Sequence, residues 1–215
     1  MRAILSDLDG TLVDSTPAVM RVWGGWMRER GITPPPGGHP HGIPSRQVVA
    51  MLAPHLDAAA EARELERREV EDLDGVVALP GARELLAAAA GAADAPAGLP
   101  PVVVVTSCTA PLARARLFAA RLPLPARIVT AERTERVKPD PDPYLLAARE
   151  LGVPPEECVV LEDAPAGVAA GRAAGMHVVA VRTSHPDAEL ADADEIVDDV
   201  AAFLAGLPSG GEDRS

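Results

Sequence analysis

Short runs of apolar residues recur along the chain, and they alternate with longer segments in which apolar residues fall at helical spacing. The short runs are rich in Val, Ile, Leu and Ala. They occupy residues 3–5, 102–105, 128–130, 158–161, 178–181 and 195–197. Such runs predict strands buried on both faces, as in a parallel sheet covered by helices. The expected fold class is therefore α/β, with a doubly wound parallel sheet.

Between the first strand and the remaining strands, the pattern predicts helices alone. They are expected over residues 16–30, 45–56 and 58–72, with Ser15 or Thr16 capping the first. A block of helices inside an α/β pattern is the arrangement of a small helical cap domain inserted into a core domain.

The domain bounds follow from these elements. The core domain is expected over residues 1–15 and 79–207, and the cap domain over residues 16–78. Residues 208–215 are polar, and we predict a disordered tail there. Within the core, the helices are predicted over residues 83–90, 111–121, 144–151 and 165–174.

Four segments of the predicted core end in groups that can do chemistry. The carboxyl ends of parallel strands meet at one edge of a sheet, where ligands bind, so these groups are expected to lie together. They are Asp7 and Asp9, Thr106 and Ser107, Lys138 in an extended proline-rich loop, and Glu162 and Asp163.

Asp7 and Asp9 start on one face of the first strand, because alternate residues of a strand share a face. Two carboxylates at the mouth of a sheet repel each other, and a hard cation such as Mg²⁺ relieves that cost. A carboxylate there can also be a nucleophile that forms an aspartyl-phosphate. Each group has a plainer alternative: a solvated turn for the aspartates, a strand-end cap for Thr106, a surface position for Lys138, and a helix N-cap for Glu162 and Asp163.

Composition narrows the classes of partner. The 215 residues carry a net charge of −12, so nucleic acid is not an expected partner, because its backbone is bound by clustered Lys and Arg. Cys108 and Cys158 are far apart in sequence, which predicts two reduced thiols. No leader pattern or membrane-spanning apolar run is present, so a cytoplasmic protein is expected, and its small acidic core suggests a monomer.

The stretch DLDGTLVDS at residues 7–15 resembles the first motif of the haloacid dehalogenase-like hydrolases, which reads D-x-D-G-T/V-L/I-x-D-S/T. The Thr106, Lys138 and Glu162-Asp163 segments follow in the order of that family's other motifs. The resemblance spans about residues 3–205. It implies a Rossmann-like core with an inserted helical cap, and hydrolysis of phosphate esters.

The resemblance also implies roles for these residues. Asp7 is the expected nucleophile, and Asp9 is the general acid that later activates water. Lys138 supplies positive charge and restrains Asp7, while Thr106 donates a hydroxyl. The other expected phosphate contacts are Ser107, Leu8 and Gly10, and the expected Mg²⁺ ligands are Asp7, Asp9, Asp163 and Glu162.

A closer likeness is to the sugar-phosphate and polyol-phosphate phosphatases of this superfamily. It rests on VTS at residues 105–107, VKPDP at 137–141 and EDAPAGVAAG at 162–171. Two cap residues extend the likeness. His41 is either a substrate contact or a loop residue, and Arg46 either binds phosphate or sugar hydroxyls or is a solvated helix residue.

The expected function is Mg²⁺-dependent hydrolysis of a small sugar or polyol phosphate through an aspartyl-phosphate. The alternatives are a β-phosphoglucomutase-like phosphotransferase, a phosphoglycolate or nucleotide phosphatase, and an inactive sugar-phosphate-binding module. The mutase relatives carry a histidine where this chain has Val19, and a lysine where it has His41, and both differences favour hydrolysis. Cys108 replaces a frequent glycine, and it either narrows the site or packs.

Overall fold

The computed structural model describes residues 1–35, 42–92 and 98–207, and eight strands and eight α-helices lie in that part of the chain. The strands are β1 (Ala3–Ser6), β2 (Val13–Asp14), β3 (Val77–Ala78), β4 (Val102–Val105), β5 (Ile128–Val129), β6 (Cys158–Glu162), β7 (His177–Val181) and β8 (Glu195–Val197). The helices are α1 (Thr16–Arg30), α2 (Ser45–Leu52), α3 (Ala58–Glu71), α4 (Ala82–Ala90), α5 (Ala110–Ala119), α6 (Asp142–Leu151), α7 (Pro165–Ala173) and α8 (Val200–Gly206).

Six of the strands form one parallel sheet, in the order β5-β4-β1-β6-β7-β8. β1 lies at its centre, and Ile4 is paired with Val102 of β4 and Val159 of β6. The carboxyl ends of β4, β1 and β6 are therefore neighbours. This order places the loops after these three strands side by side.

Helices cover the sheet on both faces, as predicted for a doubly wound fold. Alternate residues of β1 separate onto the two sides, because successive side chains of a strand point in opposite directions. Ile4 packs in a cluster with Leu85 of α4 and Leu112 of α5. Leu5 packs in a second cluster with Tyr144 of α6 and Val168 of α7. The α/β fold class is therefore confirmed.

The helices α1, α2 and α3, which we call the helical segment, have a hydrophobic cluster of their own. Its largest side chains are Trp23 and Trp26, which are buried and meet edge to face. At the base of the segment, Val13 of β2 pairs antiparallel with Ala78 of β3. The pairing joins the two points at which the chain leaves and re-enters the core. The division into a core domain over residues 1–15 and 79–207 and a cap domain over residues 16–78 stays a prediction.

Some elements differ from the sequence-based expectation. Helix α2 ends at Leu52 instead of residue 56, because Pro54 disfavours a helical conformation at Ala53 and cannot donate a backbone hydrogen bond. Helix α8 was not predicted, although Asp199 caps it by accepting from the Ala202 N–H. The loop around Lys138 is predicted to be extended, but the structure has a turn there, in which the Asp140 N–H donates to the Val137 carbonyl. The predicted tail at 208–215 lies outside the described residues.

The cysteines and the hydropathy of the helices bear on two further predictions. Cys108 and Cys158 are both free and buried, which confirms the prediction of two unpaired thiols. Within the described ranges, no helix combines the length and the apolar character needed to cross a membrane.

Candidate active site

Lys138 joins the ends of the three central strands. Its Nζ atom donates to Asp7 Oδ1 at 2.6 Å, to the Val105 carbonyl oxygen at 2.9 Å and to Glu162 Oε1 at 2.6 Å. A turn in which the Asp140 N–H donates to the Val137 carbonyl carries this lysine. Lys138 is almost completely buried, so it is not a surface lysine. The structure thus brings Asp7, Lys138 and Glu162 together.

Glu162 is fixed through both of its carboxylate oxygens. Oε1 accepts from Lys138 and, at 2.7 Å, from the Tyr144 hydroxyl, while Oε2 accepts from the Asp163 N–H at 3.1 Å. The residue is fully buried, and Gly167 lies so close that a Cβ there would overlap the carboxylate. These contacts suit Glu162 for holding Lys138 in place.

Asp163 completes a cluster of carboxylates. Its Oδ1 accepts from the Thr11 hydroxyl at 3.1 Å, and its Oδ2 accepts from Ser184. One oxygen each of Asp7, Glu162 and Asp163 lies within 4.8 Å of the other two. A Cβ on Gly10, whose φ is +83°, would overlap the Asp163 carboxylate, so glycine is required there.

The electrostatics of this cluster favour a cation. Burial and then repulsion from Glu162 raise the pKa of Asp163 to about 7. Burial also raises the pKa of Asp7 well above its usual value, although Lys138 opposes this. Three buried carboxylates share one lysine, so negative charge is in excess, and carboxylate oxygens are the ligands that hard divalent cations prefer. The residues therefore fit a divalent cation.

Asp9 faces away from this cluster. Its Oδ1 accepts from the Ser15 hydroxyl at 2.6 Å. Its Oδ2 accepts from the Cys108 thiol at 2.8 Å and pairs with Arg116 Nη1 at 2.7 Å. Ser15 occupies the N-cap position of α1, but its hydroxyl contacts Asp9 and not the helix backbone. Ser15 therefore has the predicted N-cap position, but its side chain makes no capping hydrogen bond.

Thr106 and Ser107 follow β4 on the same side of the sheet. Thr106 Oγ1 accepts from the Cys108 N–H at 3.1 Å, which leaves the hydroxyl proton for another acceptor. Ser107 Oγ donates to the Gly42 carbonyl at 2.9 Å, across the boundary between the core and the chain before α2. Ser107 therefore borders the space between the core and the helical segment, and Thr106 directly precedes it.

A cleft of about 70 Å³ lies in that space, next to Asp9. Buried Glu69 of α3 lines it, and its Oε1 accepts from Trp23 Nε1 at 3.1 Å and lies 3.4 Å from Arg116 Nη2. Burial raises the pKa of Glu69, while Arg116 opposes this effect. The cleft is lined by Asp9, Ser15, Val19, Trp23, Ser45, Glu69, Ser107, Cys108, Leu112 and Arg116.

Sequence reasoning missed Arg116, Glu69 and Tyr144. Arg116 carries no distinguishing sign in the sequence, since α5 also contains Arg114 and only the structure shows that Arg116 is the buried one. Among the predicted contacts, Leu8 is buried after β1, whereas Arg46 is exposed on α2 and is not among the residues lining the cleft. His41 lies outside the described residues.

Comparisons with known proteins agree with this geometry. The family model of haloacid dehalogenase-like hydrolases matches residues 1–175. Hexitol phosphatase A of Escherichia coli is 45% identical over 91% of this chain and 90% of its own length. Glycerol-1-phosphate phosphohydrolase 1 of Saccharomyces cerevisiae is 32% identical over 86% and 76%.

The fold also matches a solved structure. The β-phosphoglucomutase of Clostridium difficile superposes with a TM-score of 0.78, over 94% of this chain and 92% of that one, at 21% identity. An identity this low shows a shared fold and no more. The family model and the two phosphatases confirm the predicted resemblance: the chain belongs to the haloacid dehalogenase-like hydrolase family, as a phosphoric monoester hydrolase.

Proposed function

We propose that this protein hydrolyses the phosphate ester of a small sugar or polyol, with Mg²⁺ as its cofactor and an aspartyl-phosphate on Asp7 as its intermediate. The observation that carries the proposal is the meeting of Asp7, Glu162 and Asp163 around Lys138 at the ends of β1 and β6. The names of the two phosphatase relatives, a hexitol phosphatase and a glycerol-1-phosphate phosphohydrolase, support the substrate class.

Asp7 and Lys138 would perform the first step. An oxygen of Asp7 attacks phosphorus, a phosphorus–oxygen bond forms, and the bond from phosphorus to the alcohol oxygen breaks. Lys138, 2.6 Å from Asp7, favours the ionised carboxylate that this attack needs. Asp7, Asp163 and the backbone carbonyl of Asp9, with Glu162 behind them, would hold Mg²⁺, which supplies neutralising charge to the phosphate.

Asp9 would transfer a proton in each of the two steps. It gives a proton to the departing alcohol oxygen, then takes one from the water that attacks phosphorus and frees Asp7 as inorganic phosphate leaves. Its carboxylate borders the cleft, and the Ser15 and Cys108 contacts hold it on that side. The alcohol half of the substrate would therefore lie in the cleft, beneath the helical segment.

The test is release of inorganic phosphate, with Mg²⁺ present, from a panel of hexose, hexitol, glycerol and nucleotide phosphates and phosphoglycolate. Asp7→Asn is the blank, and we expect it to lower turnover by roughly 10³-fold or more because it removes the nucleophile. Thermal unfolding of both proteins controls for the fold.

Three outcomes would count against the proposal. Turnover by Asp7→Asn near the wild-type rate would exclude the proposed nucleophile. An isomerised sugar phosphate without free phosphate would indicate a mutase. Binding of sugar phosphate by folded protein that turns over nothing would indicate a binding module.

A further inference from the structure

We propose that Glu69 and Arg116 form the subsite for the alcohol half of the substrate, and that this subsite selects uncharged polyhydroxyl groups over acidic ones. The inference rests on the proposed function, since it takes Asp9 as the group that meets the ester oxygen. It assigns a role to two residues outside the motifs around Asp7 and Lys138, and it states which alcohol groups the site prefers.

Glu69 and Arg116 line the cleft from two different parts of the chain. Arg116 of α5 reaches Asp9 Oδ2 at 2.7 Å, and Glu69 of α3 comes from the helical segment. An alcohol whose ester oxygen lies beside Asp9 must continue into the cleft that these two residues line. Both are therefore placed to contact the alcohol half of the substrate.

The hydrogen-bonding capacity of the cleft suits hydroxyl groups. Trp23 and Arg116 both contact Oε1 of Glu69. Among the described residues, none donates a hydrogen bond to Oε2, so this buried oxygen can accept from a ligand hydroxyl. The hydroxyls of Ser15 and Ser45 also line the cleft, and hydroxyls can donate and accept.

The charges of the cleft disfavour an acidic ligand. Arg116 is the cation at this site, and it already faces two carboxylates, Asp9 at 2.7 Å and Glu69 at 3.4 Å. A carboxylate or second phosphate on the alcohol half would lose its hydration in a buried space where Arg116 is already paired with Glu69, and no second cation lines the cleft among the described residues. Neutral hydroxyl groups carry no such penalty.

The walls of the cleft agree with a polyol or sugar. Val19, Trp23 and Leu112 provide apolar surface beside the polar groups. The carbon–hydrogen faces of a sugar or polyol can pack on such surface while its hydroxyls reach Glu69 and Arg116. The planar base of a nucleoside would not match this alternation of polar and apolar groups.

The experiment compares two substrates that differ in one charged group. Glucitol 6-phosphate and 6-phosphogluconate have the same number of carbons, but only the second carries a carboxylate. For the wild-type protein with Mg²⁺, we expect kcat/KM to favour glucitol 6-phosphate by about tenfold or more, as for one unfavourable buried charge contact.

Glu69→Gln then removes the charge and keeps the shape and an acceptor oxygen. We expect this variant to lower the preference by about tenfold, with the main change for glucitol 6-phosphate in KM. Glu71→Gln, an exposed position on the same helix that pairs with Arg67, is the matched control and should keep the wild-type preference. A merely structural role of Glu69 would lower both activities together and leave their ratio unchanged.

The outcomes separate the inference from the proposed function. No phosphate release from any ester by folded wild-type protein would overturn the proposed function. Release with a preference near one, or a preference for 6-phosphogluconate, would overturn the inference alone. An unchanged preference in Glu69→Gln would also overturn it, and if that variant does not fold, the wild-type preference still decides.

Discussion

At the scale of single residues, the protein depends on one buried lysine. Burial alone would lower the pKa of Lys138, but Asp7 and Glu162 outweigh this effect and hold the pKa above its usual value. A lysine is rarely buried unless it is paired, and here the pairing also fixes Asp7 at the end of β1. The lysine is therefore a permanent positive charge that the fold holds beside Asp7, the proposed nucleophile.

Asp163 gives a pH-dependent prediction. Its pKa is about 7 in the folded protein, above its ordinary value of 3.8, so without metal the folded state holds an extra proton between these two values. The contribution of Asp163 to stability therefore falls as pH rises through that window. A cation must displace the same proton, so we expect Mg²⁺ to bind more tightly at pH 8 than at pH 6.

The measurement is the rise in unfolding temperature on adding Mg²⁺ at each pH. We expect a larger rise at pH 8 for the wild-type protein, and a smaller, nearly pH-independent rise for Asp163→Asn. An equal rise at both pH values in the wild-type protein would contradict a role for the Asp163 proton.

At the scale of elements, the junction of β6 and α7 explains why the last motif is rich in small residues. Glu162 ends the strand, and two residues later Ala164 occupies the N-cap position of the helix. The Asp163 and Ala164 N–H groups donate to Glu162 Oε2, so the turn closes onto the carboxylate. Gly167 in the first turn of α7 leaves the room that this closure needs.

Gly167→Ala should disturb the site although residue 167 itself does no chemistry. Its Cβ would overlap the Glu162 carboxylate, which would move Lys138 and, through it, Asp7. We expect kcat to fall on the order of 100-fold, since small displacements of catalytic groups have effects of this size. We also expect a loss of roughly 1–3 kcal/mol in the free energy of unfolding from overpacking.

Phosphate release and denaturant unfolding measure these two effects. Gly206→Ala is the matched control, because no described atom lies within 4 Å of a Cβ at that position of α8. Wild-type activity in Gly167→Ala would show that Glu162 can move without displacing Lys138.

How much the sequence could predict depends on whether a signal is local. Asp7, Lys138 and Asp163 each follow or precede a strong apolar run or a proline, so the neighbouring residues reveal their position. Glu69 and Arg116 reach the site from helices whose local pattern is ordinary, so only the tertiary packing of α3 against α5 reveals them. Strands β2 and β3 have two residues each, which is too short for any period to be read.

At the scale of the whole molecule, the two cysteines lie in different regions of the fold. Cys158 starts β6 inside the core, and Cys108 lies at the boundary with the helical segment. Burial raises the pKa of both thiols, and Arg116 only partly opposes this for Cys108. Thiolates, not thiols, react with disulfide reagents, so both the pKa and the burial protect these residues.

We therefore expect neither thiol to react quickly with an aromatic disulfide at pH 8 in the folded protein, and both to react in denaturant. Absorbance of the released thiolate measures the rate, and Cys158→Ser assigns it. Fast reaction of both residues in the folded protein would contradict their buried placement. Fast reaction of Cys108 alone would show that the helical segment separates from a core that stays folded.

The pairing of β2 with β3 has a consequence for how such a protein can diversify. Paired residues of an antiparallel ladder lie about 5 Å apart, so the helical segment leaves and rejoins the core at nearly one point. The residues between β2 and β3 form a single insertion in the core, and the two ends of this insertion are paired with each other. The whole insertion could be exchanged for another of different length without disturbing Asp7 or Lys138. With the alcohol half of the substrate bound beneath this segment, as proposed above, its replacement would change the substrate and leave Asp7 and Lys138 in place.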